Sequence, residues 1–282
     1  MHSGVHARIG VSALRRKTIL QEKNSLNVIH LSDLHIGKGK NHTIFKIIRD
    51  WLVERKDMHQ SFVVIITGDC VDDGELWQYK TFRYHIDHLI SNGFTVLCCP
   101  GNHDYGSMGI IENNDCIRHF RKYVSTNADY PHVTIINNTV FIMLDSMMEE
   151  MRHSEFIGAQ GELGKRQLNM LNYYLDDIED NHPDEKVIIA MHHHPFYYDY
   201  FLKLRDDDLF KKVIFNKDSG EPRVDCLLFG HKHSEQRFSI KERKFNIGVI
   251  YASGSTVERN EDGDLVVPVI NLENNTIKKW GI

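Results

Sequence analysis

Residues 61–74 read SFVVIITGDCVDDG, and the fold class turns on how that stretch begins and stops. Residues 62–66 form a continuous apolar run rich in β-branched side chains. The run is too short for a helix with a distinct face and reads as a buried, parallel strand. Gly68 and Asp69 end it abruptly, and Asp72 and Asp73 crowd the same turn. Taken alone, Asp and Gly at this place need mean no more than a turn. A carboxylate at the carboxyl end of a buried strand also sits where open α/β sheets bind ligands. The same event recurs four more times along the chain.

Upstream, residues 27–31 form a short strand ending in Ser32-Asp33-Leu34-His35. Residues 43–54 carry a helical stripe, with Thr43 placed to cap it. Downstream, residues 75–91 are helical and Gly93 stops them. A strand over 94–99 closes on Pro100-Gly101-Asn102-His103-Asp104. Residues 107–129 read as a helical excursion, and 132–136 with 140–145 as a hairpin around Asn137-Asn138-Thr139. After a loop over 146–163, Leu168, Leu171 and Leu175 mark an amphipathic helix over 164–178. A strand over 186–191 ends in His192-His193-His194-Pro195, followed by an aromatic stretch at 196–201 and a short helix over 207–215. A strand over 224–229 ends in Gly230-His231-Lys232-His233. Beyond it only strands are expected, over 237–240, 249–253, 265–271 and 276–280. Alternating β and α units followed by an all-β stretch predict one domain over 27–282, with two packed sheets and helices outside. Residues 1–26 read as a loosely ordered arm: residues 1–21 hold no Asp or Glu but include Arg8, Arg15, Arg16 and Lys17.

The chain has 282 residues, enough for a full core. Lys and Arg number 34 against 39 Asp and Glu, for a net charge of −5, so no general pull toward nucleic acid or anionic membrane is expected. The basic runs, Lys211-Lys212 and residues 241–244, are short, where a nuclease should show a basic stripe. No apolar stretch approaches the roughly 20 residues that span a bilayer. The five Cys include no CxxC pair, and Cys98, Cys99 and Cys226 sit in apolar runs, which points to buried free thiols and a cytoplasmic protein. The 18 His bring metal to the front, because imidazole is the commonest protein metal ligand.

Five strand ends present polar ligands: Asp33 with His35, Asp69 with Asp72, Asn102 with His103, the triple His, and His231 with His233. Each pattern has a plain alternative, a polar loop or an Asx turn. Their joint occurrence at strand ends is what argues for a site. His nitrogens mixed with carboxylate and amide oxygens, and no Cys, suit Mn²⁺, Fe or Zn²⁺. Seven ligands are too many for one tetrahedral ion and suit two ions that share a carboxylate.

These blocks, Asp33-Leu34-His35, Gly68-Asp69-Cys70-Val71-Asp72, Gly101-Asn102-His103-Asp104, His193-His194-Pro195 and Gly230-His231-Lys232-His233, resemble the ordered motifs of the calcineurin-like metallophosphoesterases. The resemblance implies a four-layer α/β/β/α sandwich of two mixed sheets with flanking helices. It also implies roles. Asp33, His35, Asp69 and His233 would hold one metal, and Asp69, Asn102, His193 and His231 the other, with Asp69 as the bridge. His193 is chosen within the triple His by the family's His-x-Pro spacing. His103 would protonate the leaving oxygen or stabilise charge, oriented by Asp104 or Asp72. A hydroxide between the cations would attack phosphorus in line. The GDCVDDG and HHHPF blocks and the segment from Gly161 to Leu171 resemble the class III cyclic-nucleotide phosphodiesterases, so the expected substrate is a small phosphodiester such as a 3',5'-cyclic nucleotide. Alternatives within the family are a nucleotide-sugar pyrophosphatase, a phosphomonoesterase and a nuclease. A binding scaffold of the same fold would lack ligands or His103, and here none is missing. Phe196, Tyr197, Tyr198 and Tyr200 follow the triple His and either stack on a base or pack as core.

Overall fold

The protein is described here by a computed structural model covering residues 26–55, 62–107, 111–125, 129–147, 159–196 and 202–282. The expected arm over residues 1–26 lies outside it, apart from Leu26, and so do Tyr197, Tyr198 and Tyr200.

The apolar run does form a strand. β1 (Asn27–Leu31), β2 (Phe62–Thr67) and β3 (Thr95–Cys99) are parallel, joined by α1 (Asn41–Glu54) and α2 (Leu76–Ser91). After β3 come α3 (Asn102–Tyr105), a small ribbon of β4 (Gly106–Ser107) and β5 (Ile111–Glu112), and α4 (Asn114–Tyr123). The hairpin is β6 (His132–Ile136) with β7 (Thr139–Met143), and α5 (Gly164–Asn181) leads to β8 (Lys186–Ala190). Then follow α6 (Asp207–Val213), β9 (Cys226–Phe229), β10 (Gln236–Arg237), α7 (Ser239–Phe245), β11 (Val249–Ala252), β12 (Val266–Asn271) and β13 (Thr276–Gly281).

The strands make two mixed sheets, β13-β12-β1-β2-β3 and β10-β11-β9-β8-β7-β6. In the first, the parallel strands β1, β2 and β3 run out to one edge and the antiparallel strands β12 and β13 to the other; in the second, the parallel strands β11, β9, β8 and β7 fill the middle and the antiparallel β10 and β6 form the edges. The alternation of side chains along the second sheet reveals the layers. Met143, Ile188, Ala190, Leu228 and Tyr251 join the core shared with the first sheet, α1 and α2. Their neighbours Ile142, Ile189, Met191, Leu227 and Ile250 join a second core under α5 and α6. The order of layers is therefore helix, sheet, sheet, helix. Leu168, Leu171 and Leu175 of α5 supply the helical side of the second core, as their spacing predicts. Burying each is worth about 1.5–3 kcal/mol relative to exposure.

Two local expectations are corrected. Of the strand expected over 237–240 only Arg237 is in one, β10, and residues 239–245 form helix α7, so helices do not end at the histidine block. Glu242 stabilises that helix in place, its buried carboxylate accepting from the Ile250 N–H at 3.0 Å and from Arg237. Thr43 does not cap α1; the helix begins two residues earlier with Lys40 as N-cap and no side-chain cap, and the Thr43 hydroxyl meets His42.

Candidate metal centre

The carboxyl ends of β1, β2 and β3 in one sheet face those of β8 and β9 in the other. The site therefore lies between sheets, where the strand-end reading needs only one. The loops after β1 and β2 extend their pairing beyond the strands. Asp33 N–H donates to Gly68 O at 3.2 Å, His35 N–H to Asp69 O at 2.9 Å, and Ile36 N–H to Cys70 O at 3.1 Å. This zipper sets Asp33 and His35 against Asp69 and Asp72. His231 N–H, at the end of β9, donates to both oxygens of Asp33 at 3.2 Å, which ties the second sheet to the first.

Close backbone approach needs glycine at Gly101. A Cβ on Gly101 would lie 2.2 Å from Asp69 Oδ1, so any side chain there would push the carboxylate away. Through this gap the His103 N–H reaches Asp69 Oδ1 at 3.0 Å.

The remaining atoms form two groups around the other oxygen of Asp69. On one side His35 Nε2 lies 3.6 Å from Asp69 Oδ2 and 2.9 Å from His233 Nε2, which is 3.5 Å from Asp33 Oδ1. On the other, His192 Nε2 lies 3.3 Å from the same Asp69 Oδ2, 3.0 Å from Asn102 Oδ1 and 3.1 Å from His231 Nδ1. The hydrogen bonds behind the rings fix their tautomers. His192 Nδ1 faces the Thr67 carbonyl at 2.7 Å, and a carbonyl only accepts. His35 Nδ1 likewise faces Asp72 Oδ1 at 3.0 Å. Both rings therefore donate backward through Nδ1 and turn Nε2 inward, onto oxygens that only accept, where a proton or a cation must sit between them. Buried acceptors do not converge without a positive charge among them. His231 Nε2 is buried without a hydrogen-bond partner, so that ring too is aimed by its Nδ1. Such a donor set fits a cation on each side of Asp69.

The electrostatics agree. Burial raises an Asp carboxyl, but at Asp69 the His192 imidazole beside it wins and holds it well below the ordinary range. Burial lowers His192, yet Asp69 pulls it up to about 9. Asp33 is raised, by burial first. These carboxylates draw positive charge into a dry site, which an imidazolium or a metal cation can supply.

Of the seven expected ligand residues, six converge: Asp33, His35, Asp69, Asn102, His231 and His233. Within the triple His the three rings face different partners. His192, not His193, faces Asp69 and Asn102. His193 sets Nδ1 against the Ser146 hydroxyl at 2.8 Å and Nε2 against Ala159 O at 3.2 Å, while its ring still lies with His192 and His231 in a cluster whose nitrogens could hold a metal ion. Burial lowers its pKa well below the usual value, consistent with a neutral ring. His194 packs on Phe229 and Phe238. Strand register explains the choice: β8 ends at Ala190, Met191 continues into the second core, and the next side chain points to the opposite face.

His103 sits beside the first group, its ring edge-on to His35 with centroids 4.5 Å apart. Its Nδ1 faces Asp72 O at 2.6 Å, and Asp72 Oδ1 is 3.9 Å away. Asp72 is thus the residue that orients His103, and it orients His35 as well. Asp104 does not. Its carboxylate accepts from the Val71 N–H at 3.1 Å and the Gly101 N–H at 2.9 Å, which fastens two loops together. Burial, then the nearby Asp69, raises its pKa to about 7. Phe196 is core, stacked on Phe245 at 5.2 Å. Two residues that the motifs did not single out complete the surround, Ser146 behind His193 and Thr67 behind His192.

The backbone carries a further mark. Among the described residues, the non-glycine positions with left-handed φ are Asn137, Asn246 and Asn275 in turns, and Asp33, His35, Asp69, His231 and His233. Asn, Asp and His all enter that region more readily than other side chains, and each such non-glycine position still costs roughly 1–3 kcal/mol. The five Asp and His positions all belong to the two groups.

The profile of the calcineurin-like phosphoesterase family matches residues 26–235. A 3',5'-cyclic-nucleotide phosphodiesterase of Nostoc is 22% identical over 230 residues, 77% of this chain and 75% of the relative. A subunit of the SbcCD nuclease of Escherichia coli is 28% identical over 85 residues, 28% of this chain. Among solved structures, a purple acid phosphatase from yellow lupin superposes with a TM-score of 0.58 at 13% identity over 92% of this chain. GAP50, the anchor in the inner membrane complex of Plasmodium, gives 0.54 at 13% identity, covering 92% of this chain and 85% of that one. The matches span only 21% of the SbcCD nuclease chain's length and 52% of the phosphatase's.

Proposed function

The chain belongs to the calcineurin-like phosphoesterase family, and from that premise we propose that it is a dinuclear metal-dependent phosphodiesterase acting on a small nucleotide, a 3',5'-cyclic nucleotide being the best candidate. The convergence of lone pairs on both sides of Asp69 Oδ2 carries this reading. Asp33, His35, Asp69 and His233 would hold one ion, and Asp69, Asn102, His192 and His231 the other. Mn²⁺, Fe²⁺/Fe³⁺ and Zn²⁺ all suit these donors. Ions bound there would acidify water and offset charge on phosphoryl oxygens. The Nostoc relative, similar over three quarters of both chains, supports the choice of substrate.

The residues of the chain supply the rest. Asp72 holds His35 by its side chain and His103 by its carbonyl, so one residue sets the distance between a ligand and the candidate acid. Because His103 Nδ1–H is committed to the Asp72 carbonyl, Nε2 is left as the nitrogen that donates a proton to a departing oxygen. The Asp69 carboxylate, anchored through Oδ1 by the His103 N–H, keeps Oδ2 for both sides.

Among the described residues no helix is long and apolar enough to cross a membrane. The five free cysteines support a reducing compartment, the cytoplasm, as the place of action.

The test is a turnover screen on bis(p-nitrophenyl) phosphate, p-nitrophenyl phosphate, cyclic nucleotides and nucleotide diphosphates, with metal content measured alongside. The expected result is about two transition ions per chain and highest kcat/KM on a cyclic nucleotide. Folded protein that takes up no Mn²⁺, Zn²⁺ or Fe²⁺ would remove the dinuclear reading, and preference for a monoester or a diphosphate would remove the substrate.

A further inference from the structure

A cavity of about 210 Å³ opens beside His233. It is walled by Ser253, Ser255, Glu258 and Asn260, with Val266 and Pro268 among its apolar contacts. His233 belongs to both the cavity and the metal centre. Its Nε2 faces His35 and Asp33, while its Nδ1 lies 3.5 Å from Glu258 Oε1. Glu258 is thus one imidazole ring away from the cluster.

The wall is built as part of the centre. Ser255 Oγ donates to the Asp33 carbonyl at 2.9 Å, Thr256 N–H donates to Ser32 O at 3.0 Å, and Ser32 N–H donates to Thr256 Oγ1 at 2.8 Å. Glu258 N–H then closes the turn onto Ser255 O at 3.3 Å. The 255–258 turn therefore keeps its distance to Asp33, the condition for a site that reads substrate geometry.

The charges select the ligand. Two cations line the cavity, and both are engaged: Lys279 pairs with Glu235 at 2.6 Å and Arg259 donates to Gly263 O. With Glu235 and Glu258 opposite them the cavity has no net positive charge, so a second phosphate gains little there. The Glu258 side chain is 58% exposed and meets His233 through Oε1. A carboxylate with acceptor capacity to spare, over an apolar floor, suits hydroxyl donors on a compact carbon frame.

We propose that this cavity is the subsite for the sugar of the phosphoester, with Glu258 accepting a sugar hydroxyl. The inference rests on the metal centre binding the phosphate, and it adds a preference for hydroxyl-bearing nucleotides over diphosphates and deoxygenated analogues.

The test reads binding as well as turnover. Titration calorimetry on the Mn²⁺-loaded protein compares AMP with 2',3'-dideoxyadenosine 5'-monophosphate, in the native chain and in Glu258→Ala. The native chain should bind AMP about tenfold more tightly, the order expected for one hydrogen bond to a charged acceptor. In Glu258→Ala the ratio should fall to within about twofold. Because the ratio is read, any uniform effect of the substitution through His233 cancels. Equal binding of the two by the native chain, an unchanged ratio in the variant, or no binding of either nucleotide overturns the subsite. A preserved ratio in the native chain without hydrolysis of any cyclic nucleotide would instead leave the subsite standing and overturn the proposed substrate.

Discussion

At the scale of single residues, neighbours in sequence separate sharply in role. His192 and His193 are adjacent and both buried, yet one turns a lone pair toward Asp69 and the other satisfies both nitrogens on Ser146 and Ala159. His192→Ala should lose about one metal equivalent per chain, measured by elemental analysis after gel filtration. His193→Ala should keep both ions and lose about 1–3 kcal/mol of stability, because it leaves the buried Ser146 hydroxyl without its partner. Loss of metal from the second variant and not the first would restore the His-x-Pro assignment. His103 differs from both, since its Nδ1 is tied to a carbonyl and its ring stands outside the two groups. Removing a general acid costs about 10²–10⁴ in rate where the leaving oxygen needs a proton. His103→Ala should therefore keep its metals, lose most turnover on a cyclic nucleotide, and lose less on bis(p-nitrophenyl) phosphate, whose leaving group needs none. Equal losses on both would make His103 a phosphate-positioning group. The identity of these residues was readable from the motifs. Which of the three histidines faces Asp69 was not, because that depends on which face of β8 each one meets.

At the scale of elements, the strand ends were legible because apolar runs stop at polar clusters. Helix α7 was not: Ser239-Ile240-Lys241-Glu242-Arg243-Lys244-Phe245 has two apolar residues, of which Ile240 is exposed, so no stripe marks it. Its anchor is instead a carboxylate bonded to a neighbouring strand. A comparable polar knot joins β7, α3 and α5. Asp145, just beyond β7, accepts from the Tyr105 hydroxyl at 2.8 Å and the Met147 N–H at 2.9 Å, while Gln167 of α5 bonds its backbone on both sides. Burial raises the Asp145 carboxyl to about 6. A folded-state pKa above the unfolded one means that the native state binds the proton more tightly. The stabilising contribution is then present below the unfolded value of 3.8 and is lost as pH rises toward about 6. Asp145→Asn keeps an acceptor and removes the buried charge. It should gain stability relative to the native chain on going from pH 4 to pH 7.5, by up to about 3 kcal/mol from a shift of about two pK units. Urea unfolding at the two pH values measures this, and an unchanged difference between variant and native chain would mean that the carboxyl is not the titrating group.

For the whole molecule, the two sheets bring their carboxyl ends together and leave buried acceptors facing one another. A cation bound there would couple folding to metal. A ligand that binds the native state alone stabilises it by about 2.7 kcal/mol at a hundred times its Kd. Chelation should lower the Tm by several degrees, and Mn²⁺ should restore it; an unchanged Tm on complete metal removal would mean that the acceptors are not held together by cations. The amino-acid sequence by itself determined the fold class, the strand ends and the types of donor, because hydrophobic periodicity and motif order are local properties carried by neighbouring residues. Tertiary structure alone decided four things. It turned His192 rather than His193 toward Asp69, set the Asp72 carbonyl rather than Asp104 against the His103 ring, brought the ligand-type side chains together between two sheets, and set the 255–258 turn beside His233. Each depends on the face a side chain meets once strands pair and sheets pack, and a shift of one residue in that register turns every side chain to the opposite side.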